Sequence, residues 1–164
     1  MFDIFEIKSD AYISSCGRYR YWLSRVWNDS KPLVCWVLLN PSTADHRKDD
    51  PTIRRCMSFA KQWKAGGIVV VNLFALRATN PKELYLSPDP IGPENDDTIM
   101  RYASGNCKVV AGWGVHGGYL NREVDIIKMM NSHEVELECL GVTKGSHPKH
   151  PLYVSTDTKL VPFN

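Results

Sequence analysis

Four short stretches concentrate the side chains that can orient a water, hold a proton or grip an anion. The first runs from Asn40 through Ser42, Thr43 and Asp45 to Asp49 and Asp50. The second runs from Asn72 to Asn80 and includes Arg77 and Thr79. The third is Trp113-Gly114 and the glycine-rich segment with His116 that follows. The fourth, Thr143 to Tyr153, carries Lys144, His147, Lys149 and His150. An asparagine amide offers a donor and an acceptor together, so Asn40 can hold a water and Asn72 can read the edge of a base. Asp45 can assist as a base, and His150 can hydrogen-bond a developing negative charge. Arg54, Arg77 and Lys149 suit phosphate oxygens. Ser42, Thr43, Trp113, Gly114 and His147 complete the candidate binding set.

Each of these residues also has a plainer role open to it. Asn40 can cap its own turn, Asp50 can cap a helix, and Trp113 can be core. Arg54 and Arg55 sit in a helix's first turn, where a cation opposes the dipole. They therefore face either an anion or the loop aspartates. Asp45, Asp49 and Asp50 are a weak metal signal, because a site needs several converging oxygens.

The elements that must position these groups follow from hydrophobic pattern. Leu33–Leu39, Ile68–Phe74, Cys107–Trp113 and Val135–Gly141 are apolar runs that read as strands buried on both faces. Between them, Asp50-Pro51 predicts a helix start, with Ile53, Met57, Ala60 and Trp63 facing the core and Gly66-Gly67 closing the helix. A short helical turn is expected at 81–84, a helix from Glu94 to about Ser104, and another from Arg122 to Met130. Alternation with Tyr and Trp over 12–27 predicts a hairpin turning near Ser15-Cys16-Gly17. The expected fold is α/β: a three-layer αβα sandwich around a mainly parallel four-stranded sheet. It forms a single domain over 1–164, with 1–30 as a hairpin extension. All four polar stretches follow strands, so a parallel sheet brings them to one edge.

The bulk numbers restrict the class. At 164 residues, 43% hydrophobic and 23% charged, the chain can bury a sizeable core. A net charge of +2 is compatible with nucleic acid without demanding it. No run approaches the roughly 20 apolar residues that span a bilayer, and no membrane partner is expected. Met1 to Glu6 has neither a basic region nor an apolar one, so no secretory signal is expected. The five cysteines lie far apart with no C-x-x-C, which argues against a disulfide framework or zinc site. Cys35 and Cys139 read as core. A reduced, cytoplasmic protein is expected, with no metal and no cofactor. Walker and G-x-S-x-G patterns are absent, and Gly112 to Gly117, although spaced G-x-G-x-x-G, is not read as a dinucleotide fingerprint followed by a ribose acid. The sequence leaves the oligomeric state open.

Taken together, L-N-P-S-T-A-D, D-D-P-T-I-R-R-C, V-N-L-F-A-L-R-A-T, I-G-P-E-N-D, A-G-W-G and H-P-L-Y-V resemble the bacterial and phage family known as domain of unknown function 1643. The likeness covers Tyr19 to Tyr153. More distantly, the motif order is similar to the uracil-DNA glycosylase superfamily. Leu39-Asn40-Pro41-Ser42 resembles the motif whose Asn or Asp positions the attacking water. Val71-Asn72-Leu73 resembles the strand end that reads the base, and Trp113-Gly114 a third strand's end. His150-Pro151-Leu152-Tyr153, or His147-Pro148, resembles the closing loop that enters the minor groove and stabilises the departing base anion. The resemblance implies a uracil-DNA glycosylase-like fold and hydrolysis of an N-glycosidic bond, with nucleic acid or a nucleotide as partner. The alternative is a non-catalytic module that binds a nucleotide, nucleic acid or a protein.

Overall fold

The computed structural model describes residues 6–105 and 107–164. The expectation for the N-terminal end, Met1 to Phe5, lies outside the described residues.

Strands β1 (Lys8–Ile13), β2 (Arg20–Val26), β3 (Leu33–Leu38), β4 (Gly67–Asn72), β5 (Lys108–Ala111), β6 (Leu137–Cys139) and β7 (Val161–Phe163) form one sheet in the order β1-β2-β4-β3-β5-β6-β7. The four apolar runs of the sequence are its parallel centre: β3 pairs with β4 and β5, and β5 with β6. The flanks are antiparallel. β1 and β2 form the expected hairpin, and a Gly17 N–H to Ser14 O bond of 2.8 Å closes its turn, with Gly17 at φ 74°. The hairpin extends the same sheet, because β2 pairs directly with β4. β7 was not foreseen: three residues containing Pro162 carry too little pattern to announce a strand.

The helices are α1 (Pro51–Gln62), α2 (Lys82–Leu86), α3 (Asn95–Ala103) and α4 (Arg122–Ser132). Alternate strand residues feed two hydrophobic clusters. Val34, Trp36, Leu38, Ile68 and Val70 pack with Ile53, Cys56, Met57, Phe59 and Ala60 of α1. Cys35, Val37, Val69 and Val71 pack on the other face with Leu84, Ile99, Met100, Ile126 and Met130 of α2, α3 and α4. This gives three layers, with α1 alone on one side. Cys35 and Cys139 are core residues, as expected.

The end of α1 corrects the sequence reading. The left-handed residue is Lys64 at φ 59°, and Ala65 N–H reaches back to Ala60 O at 2.9 Å, a Schellman-type closure. Gly66 serves another purpose: a Cβ there would lie 2.7 Å from Lys31 O and closer still to Asn28 O. It lets the turn before β3 pack against the turn before β4. The fourth strand is shorter than its apolar run, and the tail after it is more ordered than a loop. Val142 bridges Pro148, and Pro151–Tyr153 forms a 3-10 turn.

Candidate functional site

Because β3, β4, β5 and β6 are parallel, their carboxyl ends lie along one edge of the sheet, and each following loop contributes to one cavity of about 690 Å3. That volume falls in the range of small-molecule sites. Of the residues singled out from sequence, Asn40, Ser42, Asn72, Trp113, Gly114, Lys149 and His150 line it. Thr43, Asp45, Arg54, Arg77 and His147 do not.

Asn72 ends β4 and is wholly buried, yet neither Oδ1 nor Nδ2 has a partner among the described residues. Its backbone is held firmly. Leu38 O accepts from Leu73 N–H at 2.9 Å, and Asn95 Nδ2 donates to the carbonyls of Asn72 at 2.9 Å and Leu73 at 3.0 Å. Arg122 Nε also donates to Leu73 O at 2.9 Å while its Nη2 pairs with Asp96 at 2.6 Å. A rigid strand end thus carries an unsatisfied amide against a cavity. Each buried polar group left without a partner costs about 1–3 kcal/mol.

Asn40 follows β3. Its Nδ2 donates to Ala78 O at 2.8 Å and Pro41 O at 3.0 Å, so both amide hydrogens are used. This fixes the orientation of the amide and leaves Oδ1 as the free acceptor for a water or a ligand donor.

His150 precedes the 3-10 turn and its Nδ1 accepts from Leu152 N–H at 3.1 Å. The proton of the neutral ring is therefore on Nε2, which becomes a donor. Burial holds the imidazole below its ordinary pKa, and the nearby Asp50 carboxylate partly offsets that. The turn itself is latched to α1. Arg55 donates to Pro151 O at 3.1 Å and to Val154 O, with its guanidinium 5.2 Å from the Phe59 ring centre. Arg55 thus faces neither an anion nor the loop aspartates but backbone carbonyls at and after the 3-10 turn.

Trp113 is 1% exposed and walls the cavity from the core side, with its indole N–H on Glu123 Oε2 at 2.8 Å. His147 Nδ1 lies 2.9 Å from the same oxygen. His147 therefore anchors its loop to α4 and does not line the cavity. Gly114, at φ 73°, donates to Pro148 O at 2.9 Å and ties the third loop to the fourth. Gly117 is required because a Cβ there would come within 2.6 Å of Trp113 Nε1. Gly117→Ala is expected to cost about 1–3 kcal/mol by overpacking, read as a lower urea midpoint with an unchanged m-value.

Asp45 does not line the cavity. Its Oδ1 accepts from Arg47 and Lys48 N–H, both at 2.8 Å, and those bonds lower its pKa. Asp49 pairs with the buried Arg25 at 2.8 Å, and Asp50 caps α1 through Ile53 N–H at 2.9 Å. The three aspartates thus have separate partners, and among the described residues no group of three or more His, Cys, Asp or Glu converges as metal ligands would. Asp50 is the helix cap that the sequence offered, and it also lines the cavity. Arg54 is exposed, with its Nη1 3.4 Å from Asp49 O, Thr43 is exposed, and Arg77 donates to Gly17 O at 3.4 Å.

One cavity residue escaped the sequence reading. Arg20 is 2% exposed, and its Nη1 donates to Ala44 O at 2.9 Å. The register of the hairpin shifts between Tyr12 and Ile13, which pair with Trp22 and Arg20. This bulge turns Arg20 to the α1 face although it stands an odd number of residues from Leu23 on that face. Nothing in the alternating aromatic pattern signals such a shift.

No helix among the described residues is long and apolar enough to cross a membrane. A family model described as a protein of unknown function (DUF1643) matches residues 20–152. No curated protein and no solved structure matches the chain.

Proposed function

We propose that this chain, which belongs to the DUF1643 family, is a glycosylase-like enzyme that takes a nucleotide or a flipped base into the cavity and hydrolyses its N-glycosidic bond. The observation that carries this reading is Asn72, a buried amide with donor and acceptor both unpartnered among the described residues, in the same cavity as Asn40 and His150. An amide in that state complements a base edge, which offers an acceptor and a donor side by side. The motif likeness to the uracil-DNA glycosylase superfamily supports the same assignment of these three residues.

In the proposed reaction Asn72 holds the base, and Asn40 Oδ1 orients a water toward the anomeric carbon. The bond from that carbon to the base nitrogen breaks, and its electron pair leaves with the base. His150 Nε2–H donates a hydrogen bond to the resulting anion, a stabilisation that grows in the transition state. Water adds to the sugar carbon and releases its proton. Asp50, not Asp45, is the cavity carboxylate that can support the positive charge on the sugar and receive that proton. Leu152 and Tyr153, 40% and 84% exposed, stand directly after His150, where the resembled family's closing loop enters the minor groove.

The test is chromatographic detection of free base from nucleotides and from single- and double-stranded oligonucleotides with normal and modified bases. Base release that falls at least about tenfold in both Asn40→Ala and His150→Ala supports the mechanism. A complete lack of release across the panel, or full activity in both variants, contradicts it. Tight binding without release would leave a binding module in its place.

A further inference from the structure

Arg20 takes no part in the bond cleavage above. Its Nε is buried without a partner among the described residues, and it forms no ion pair there. Its pKa is pushed down to about 10 by burial, against the opposing pull of Asp50. A guanidinium taken out of water is costly to leave uncompensated. The first turn of α1, a twelve-residue helix, opens on the same cavity through Asp50, Thr52 and Ile53. Asp50 occupies the Ile53 N–H, whereas the Thr52 N–H and hydroxyl carry no protein hydrogen bond among the described residues. A helix N-terminus and a guanidinium whose charge has no ion-pair partner among the described residues favour the same kind of guest, an oxyanion.

We infer that the cavity holds a phosphate ester between Arg20 and the first turn of α1, so that its ligand is a nucleotide and not a nucleoside or free base. The inference rests on the base-reading role of Asn72 for the nucleotide part and on Arg20 alone for the anion. Charge matches this. Arg20 and Lys149 line the cavity as permanent cations and Asp50 as an anion, which leaves one positive charge in excess beside the two histidines, His116 and His150. A phosphodiester carries one negative charge. The shared chemistry, a phosphate next to a base, can come from a nucleic-acid strand or from a free nucleotide.

The test is titration calorimetry at fixed ionic strength with nucleosides, their 5′- and 3′-monophosphates, dinucleoside monophosphates and inorganic phosphate. The wild-type protein should bind a nucleotide roughly tenfold to a hundredfold more tightly than the matching nucleoside. Arg20→Gln should abolish that gain and leave nucleoside affinity unchanged. Asp50→Asn keeps a good cap and removes the opposing charge, so it should enlarge the gain. Should Arg20→Gln fail to fold, the wild-type comparison and Asp50→Asn still decide. Preference for dinucleotides would identify a strand as the source, and preference for monophosphates a free nucleotide. Equal affinity for nucleosides and nucleotides overturns the inference but leaves the base-reading role of Asn72 standing. Nucleotide binding that depends on Arg20 but is indifferent to Asn72→Leu supports the anion site while removing that role.

Discussion

Asn72→Leu is expected to make the protein more stable and at the same time unable to hold its ligand. The native side chain buries a donor and an acceptor with no partner among the described residues. Leucine has similar volume and no polar atoms, so the substitution removes the desolvation penalty without opening a cavity. The expected gain is about 1–3 kcal/mol, read from the urea midpoint at constant m-value. Ligand affinity should fall roughly tenfold to a hundredfold, because two hydrogen bonds to the base disappear. Most buried substitutions cost stability, so opposite signs for stability and binding would mark Asn72 as kept for a ligand. Loss of stability in the leucine variant would mean that the amide has a structural partner, and the functional assignment of Asn72 would fall with it.

His150→Ala is expected to lower kcat by roughly 10²–10³ with little change in KM, the usual consequence of losing one donor to a developing anion. The pH dependence has a defined sign. Leu152 N–H occupies Nδ1, so protonation of that nitrogen sets two donors against each other and breaks the turn. Burial lowers the folded-state pKa below 6.5. The stability contributed by the neutral ring is therefore fully present above about pH 6.5, and it is lost as pH falls through the lower folded-state value. Activity should be flat near neutrality and decline on the acid side at the same point. His150→Ala should remove that acid-side step from the unfolding free energy. An acid limb that persists in the variant would assign the titration to another group.

These expectations depend on how the fold brings distant residues together, and much of that is legible in the sequence. The four central strands are visible because a parallel strand covered on both faces is apolar at consecutive positions, as Val34 to Leu38 and Ile68 to Val71 are. Parallel strands share an edge, and this alone brings Asn40, Asn72, Trp113 and His150 to one cavity. The start of α1 is equally plain, since Asp50-Pro51 announces a cap that the backbone then uses.

Other features depend on partners that the pattern does not reveal. His147 and His150 both precede proline in the same loop. What separates them is Glu123, on a helix that packs beneath His147 and takes its Nδ1. Asp45 and Asp50 are likewise indistinguishable by type. Asp45 folds its own loop through two backbone N–H groups, whereas Asp50 sits where the first turn of α1 opens on the cavity. Arg20 depends on a one-residue bulge at Tyr21 in its own strand, and side-chain alternation carries no trace of it. Lys64 takes the left-handed position that glycine usually fills, because Gly66 and Gly67 are committed to close backbone approach against the turns beside them.

The central claim is that one cavity reads a base through Asn72 while Asn40 and His150 attend the bond to be broken. A crystal structure with a bound nucleotide tests it most directly. The account predicts a base edge within hydrogen-bonding distance of both Oδ1 and Nδ2 of Asn72, with a water or the anomeric carbon facing Asn40 Oδ1 and His150 Nε2 directed at the base. A nucleotide bound elsewhere, or bound in the cavity with Asn72 still unpartnered, would contradict it.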